Sequence, residues 1–123
     1  MDPRVRTVID FMEDNLHRRL KVGELAQVAH LAPARLRQLF QAETGKPPVQ
    51  YLMDLRMRRA KELLESSLDS VKEIAAQVGI NDVSHFVRKF GKARGLTPAR
   101  HRSRHHRTVS HEVHKRPTRL ADE

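Results

Sequence analysis

The 123-residue sequence contains no cysteine and no tryptophan. Without cysteine, disulfides, thiolate zinc sites and cysteine nucleophiles are all excluded, and the absence agrees with a reducing, cytoplasmic setting. Aromatic residues are scarce, four Phe and one Tyr, so a core must rest on Leu, Val, Ile, Met and Ala. No apolar run approaches the ~18 residues that would cross a bilayer, and the N-terminus has no signal-peptide pattern. There is no Gly-rich phosphate loop, nucleophile motif or inward pair of carboxylates. The sequence therefore gives no reason to expect an enzyme or a cofactor. What the chain has in excess is positive charge. Its formal net charge is +9, which favours polyanionic partners. Over residues 1–99 both signs are interspersed, whereas residues 100–123 hold seven Lys/Arg against three Asp/Glu.

The apolar residues recur with helical spacing and nowhere alternate with period two. Residues 4–20 read as an amphipathic helix on Val5, Val8, Ile9, Met12 and Leu16, with Asp2 as N-cap and Pro3 at the first helical position. A short helix over 22–29 turns Leu25, Val28 and Ala29 inward. Pro33 opens a third helix, which buries Leu36, Leu39 and Phe40 and closes at Gly45. Pro47-Pro48 start a long helix to about Ser66, with Val49, Leu52, Met53, Met57, Ala60, Leu63 and Leu64 on its broad apolar face. Ser70 and Glu73 form a capping box for a short helix with Ile74, Ala75 and Val78 inward. Gly79 opens a turn, helix 83–94 presents Phe86, Val87 and Phe90, and Gly95 closes it. Thr97-Pro98 begin a last turn to about Arg102. From Ser103 onward the apolar pattern stops and disorder is expected. The fold class is all-α, with a body over 4–102 and a basic His/Arg-rich tail over 103–123.

The chain also repeats itself. Phe40-x4-Gly45-x2-Pro48 returns as Phe90-x4-Gly95-x2-Pro98, at an offset of 50 residues, and Val22-x-Glu24-Leu25-Ala26 returns as Val71-x-Glu73-Ile74-Ala75, at an offset of 49. One copy thus carries a single extra residue between its halves. Each copy is a short helix, a tight turn and a longer helix, which is a helix-turn-helix unit. Such a unit braces with its first helix and sends its second into the major groove, where base edges can be told apart. The outward residues of the first unit's second helix are Ala34, Arg35, Arg37, Gln38 and Gln41. Arg pairs with guanine and Gln with adenine through two hydrogen bonds, so the set suits base reading. The second unit offers Ser84, His85 and Arg88 for bases. Lys46, Lys89, Lys92, Arg94 and Arg100 are candidates for phosphate. An 18-residue connecting helix spans about 27 Å. With the offset of each unit, this approaches the ~34 Å between successive major-groove faces. The two faces differ, so a non-palindromic site is expected.

His101 and His105 stand four apart, and His111 and His114 three apart, spacings that can pair ligands on one helix face. In a charge-dense segment without cysteine they read as part of a solvated basic tail, and no metal is expected. Two other readings stay open: a non-specific architectural DNA-binding protein, and a basic helical module that docks on another protein.

The stretch Ile74-Ala75-x2-Val78-Gly79-x2-Asp82-x-Ser84-x-Phe86-x-Arg88-x-Phe90-x4-Gly95-x-Thr97-Pro98-x3-Arg102 closely resembles the signature of AraC/XylS-type transcriptional regulators. Leu25-Ala26 through Leu36-x2-Leu39-Phe40-x4-Gly45, and Arg56-x3-Ala60-x2-Leu63-Leu64, resemble the same family. The resemblance implies a seven-helix domain in which one long helix joins two helix-turn-helix units. It also implies a cytoplasmic, nucleoid-associated bacterial activator on promoter DNA, often in touch with RNA polymerase. Members commonly carry an effector-binding domain before this one. The 123 residues contain no effector site by this reading, and both a stand-alone regulator and a piece of a longer chain remain open. Some positions depart from the family pattern. Lys21 and Ala32 stand where Ser or Thr caps are usual. Ile80 replaces an aromatic, and His101 replaces a Tyr or Phe whose counterpart Tyr51 is kept. Gly91 stands where Lys or Arg is usual, which either removes a phosphate contact or lets the backbone approach DNA. The missing caps predict that residues 22–44 open more readily than 71–94.

Overall fold

The computed structural model describes residues 1–114, with side chains through residue 107. Seven helices and no strands make up the described residues: α1 (Pro3–Asp14), α2 (Val22–Val28), α3 (Pro33–Thr44), α4 (Pro48–Ser66), α5 (Val71–Gln77), α6 (Val83–Arg94) and α7 (Pro98–His114).

The repeat is visible in the element boundaries. α2 and α5 begin 49 residues apart, whereas α3 and α6, like α4 and α7, begin 50 apart. The extra residue therefore lies in the turn before α6. Up to that point the two turns are built alike. The Leu31 N–H donates to the Ala26 carbonyl at 2.9 Å, and the Ile80 N–H donates to the Ala75 carbonyl at 2.8 Å. Each turn also has one residue of positive φ, His30 at 57° and Gly79 at 83°. Gly45 and Gly95 close α3 and α6 in the left-handed conformation, with φ of 79° and 81°.

The chain builds two cores. Val5, Val8, Ile9 and Met12 of α1 meet Leu25 and Ala26 of α2 and Leu36 and Phe40 of α3 in the first. Ile74, Ala75, Val78, Phe86 and Phe90 form most of the second. α4 serves both, giving Leu52 and Leu55 to the first and Met57, Ala60, Leu63 and Leu64 to the second. A shared helix filled from both sides makes α4 a stiff connection, because packed interiors yield little. Phe40 meets Tyr51 edge to face at 5.3 Å, and Phe90 meets His101 in the same way at 5.6 Å. His101 thus fills the place that Tyr51 holds in the first unit.

Caps differ between the units as the sequence suggests. Ser70 Oγ accepts from the Glu73 N–H, and the Glu73 carboxylate accepts from the Ser70 N–H, a complete capping box. Asp82 caps α6 by accepting from the His85 N–H at 3.1 Å. Lys21 and Ala32 make no side-chain cap. Glu24, which repeats as Glu73, pairs instead with Arg18 at 2.7 Å.

Four expectations need correction. α1 ends at Asp14 rather than near residue 20. Asn15 stops it, because its side-chain amide donates to the Phe11 carbonyl at 2.8 Å and its N–H to the Met12 carbonyl. The freed loop packs Leu16 and Leu20 against the first core. Val49, expected inward, is 60% exposed; Pro48 takes the buried place beside it. Leu55 and Arg56 are buried on α4 although neither was expected inward. Finally, the last helix does not stop near Arg102. It continues to His114, where disorder was expected from Ser103. No Gly or Pro interrupts residues 99–116, so a helix anchored at its start can propagate through polar residues without a core. The remainder of the expected tail, residues 115–123, lies outside the described residues.

Candidate nucleic-acid interface

α3 and α6 each bury one stripe and leave the opposite face in solvent. On α3, Leu36 and Phe40 point inward, while Ala34, Arg35, Arg37, Gln38 and Gln41 are all exposed. On α6, Phe86 and Phe90 point inward, and Ser84, Arg88, Lys89, Lys92 and Arg94 are exposed. His85 is half-buried. Among the described residues, Arg35, Arg37, Arg88, Lys89 and Lys92 carry no ion pair. Cations left unpaired on one helix face are available to an anionic partner.

The remaining candidates sort differently. The Gln41 side-chain amide donates to the Gly45 carbonyl at 2.8 Å and so closes the end of α3. Lys46 is paired with Asp54 of α4; both are partly exposed, and such a pair contributes little to stability. Arg100 is exposed in the first turn of α7, where its N–H donates to Thr97 Oγ1 at 3.3 Å. Lys89 and Lys92 stand on a groove of 610 Å³ between α4 and α6, floored by Val49, Met53 and Met57. At Gly91 nothing lies within 4 Å of where a Cβ would be, so packing does not demand this glycine.

His85 faces a second groove, of 430 Å³, which it shares with His17 and Arg19 of the α1–α2 loop and with Asn81. The sequence reading missed these three polar residues beside the start of α6. Two of them fall in a loop taken for helix, and no local motif marks them. It also missed that Arg56, noted only as part of a spacing motif, is buried at 9% exposure in the same groove.

α7 is pinned to α4 by its first turn and a half. A ring nitrogen of His101 lies 2.7 Å from Glu65, and Lys61 pairs with the same carboxylate at 3.1 Å. Burial raises the pKa of Glu65, but the hydrogen bonds from His101 and Lys61 outweigh it, and the net shift is downward. Arg102 donates to the Leu64 and Ser67 carbonyls, each at 3.2 Å. His101 is therefore engaged within the fold.

The architecture has clear relatives. A family model described as a helix-turn-helix domain matches residues 25–104. The MmsAB operon regulatory protein of Pseudomonas aeruginosa is 35% identical over 94 residues, covering 76% of this chain and 31% of that protein. The DNA-binding domain of AdpA, a global transcriptional factor solved in complex with a target DNA, superposes with a TM-score of 0.78 at 29% identity, covering 81% of this chain and 90% of that one. The C-terminal domain of AraT, a response regulator from Geobacillus stearothermophilus, gives a TM-score of 0.79 at 28% identity, covering 83% and 85%. The chain spans between 31% and 39% of the length of three curated relatives that it matches. Two helix-turn-helix units on one long helix, the signature around Phe86 and Phe90, and these likenesses agree: the chain belongs to the AraC/XylS-type family of helix-turn-helix transcriptional regulators.

Proposed function

We propose that this chain binds double-stranded promoter DNA sequence-specifically as a transcription regulator, with α3 and α6 entering two successive major grooves on one side of the duplex. The observation that carries this reading is the pair of exposed polar faces on α3 and α6, at equivalent positions of two units held on one helix. α4 has 19 residues, about 28 Å of helix at 1.5 Å per residue, a length suited to grooves one turn of DNA apart. Ala34, Arg35, Arg37, Gln38 and Gln41 face bases from α3, with Gln41 giving up the Gly45 carbonyl to do so, and Ser84, His85 and Arg88 face them from α6. Lys46, Lys89, Lys92, Arg94 and Arg100 contact phosphates, with Lys46 exchanging Asp54 for the phosphate. The protein acts on the bacterial nucleoid in the cytoplasm, with RNA polymerase as a second partner and with no effector bound by these residues.

Selection of binders from random duplex DNA at two salt concentrations tests this. The expected product is one asymmetric site with two conserved blocks about one helical turn apart, and a specific-to-non-specific ratio of at least ~10³. Enrichment of no sequence, with strongly salt-dependent affinity, would favour an architectural protein. No salt-dependent DNA affinity would favour a protein-docking module.

A further inference from the structure

Arg56 lies on α4 at the seam between the two cores, after Leu55 of the first and before Met57 of the second. Its guanidinium has no carboxylate partner among the described residues and is largely buried, at the edge of the groove that His85 faces. Nη2 donates to the Arg18 carbonyl of the α1–α2 loop at 2.7 Å, and Nε has no hydrogen-bond partner among the described residues. Leaving a buried guanidinium N–H unpaired is costly, so a residue kept here needs a reason other than stability. Gly79, in the turn before α6, lies on the other side. A Cβ there would fall on the Leu16 carbonyl oxygen and within 3.0 Å of Arg56 Nη2. His30 shows that the left-handed turn does not by itself require glycine, because it adopts the same turn in the first unit with its side chain exposed. What differs at Gly79 is that the backbone of unit one occupies the space. The loop of one unit, the turn of the other and the helix they share thus meet at a single guanidinium, a few residues before His85 on α6.

We propose that Arg56 and Gly79 form a joint that sets the register between the two recognition helices and thereby the spacing between half-sites that the protein accepts. The proposal rests on the two-groove reading. Arg56 is a positioning residue, acting through the α1–α2 loop and the α5–α6 turn. Arg56→Met keeps the length and removes both the buried charge and the bridge to Arg18. Arg56→Lys keeps the charge and serves if the Met variant does not fold.

Affinity is measured for the selected site and for versions with one or two base pairs inserted between the blocks. Wild type is expected to lose 30-fold or more per insertion, and Arg56→Met less than about 5-fold, with affinity for each isolated block unchanged. A DNA-free readout accompanies it. Because the chain has no cysteine, Ala42→Cys on α3 and Ala93→Cys on α6 accept spin labels at unique positions. The distance between them should be narrowly distributed in wild type and broad in either Arg56 variant. A wild type indifferent to insertions overturns the two-groove reading and this proposal with it. A wild type that senses insertions, with both variants sensing them equally and keeping the narrow distance, overturns the proposal alone.

Discussion

Among single residues, the informative contrast is between cations that the fold has already engaged and cations that it leaves unpaired. Lys46 and Arg18 have carboxylate partners and Arg102 has backbone carbonyls, while Arg35, Arg37 and Arg88 have no ion pair among the described residues. An unpaired Arg on the exposed face of a helix loses nothing within the protein when it turns to a guanine edge. Arg37→Ala should therefore leave the thermal midpoint almost unchanged, weaken the selected site by about 1–3 kcal/mol and relax one base position. Titration against the site and its single-base variants checks this, and equal loss on every sequence would make Arg37 a phosphate contact instead. Outward placement of these side chains was legible from the spacing of Leu36, Phe40, Phe86 and Phe90 alone. The burial of Arg56 was not, because a charged residue beside the apolar face of a helix carries no sign that two units will close over it.

At the level of elements, the units are alike in path and unlike in their ends. α5 and α6 have side-chain caps and α2 and α3 do not; each missing cap costs about 1 kcal/mol. Amides of α2 and α3 should exchange faster than those of α5 and α6, and the reverse order would show that packing, not capping, governs local opening. Lys21→Ser should stabilise by about 1 kcal/mol in urea unfolding, since Glu24 already stands where Glu73 completes its box. The gain will be smaller to the extent that Glu24 stays with Arg18. The attachment of α7 has a pH dependence of fixed sign. Glu65 has a folded pKa below its ordinary 4.5, so its contribution is present at neutral pH and is lost as pH falls through the folded value. Stability measured from pH 7 down to 3 should fall less steeply in Glu65→Gln than in wild type. A steeper fall in the variant would contradict the assignment.

Across the whole molecule, the excess of basic charge collects on α6, in the α1–α2 loop with Arg18, Arg19 and Lys21, and on a last helix that runs well beyond its anchor. His101 and Arg102 hold α7 to α4, so truncation after Arg102 keeps both attachments. It removes Arg104 and Arg107 together with the cations that follow. Such a truncation should leave specificity intact, weaken binding to all sequences alike and flatten the dependence of affinity on salt. An unchanged salt slope would take this segment out of the DNA contact. The sequence by itself determined the all-α class, the two repeated units, their caps and the faces their second helices expose. These follow from local periodicity and from Gly and Pro at turns, which act within a few residues along the chain. Only the tertiary structure decided how the units are joined. Division of α4 between two cores, the Leu16 carbonyl against Gly79 and the guanidinium of Arg56 between them bring together residues up to about 60 positions apart. Such contacts leave no periodic trace, because they depend on which surfaces meet after each unit has folded.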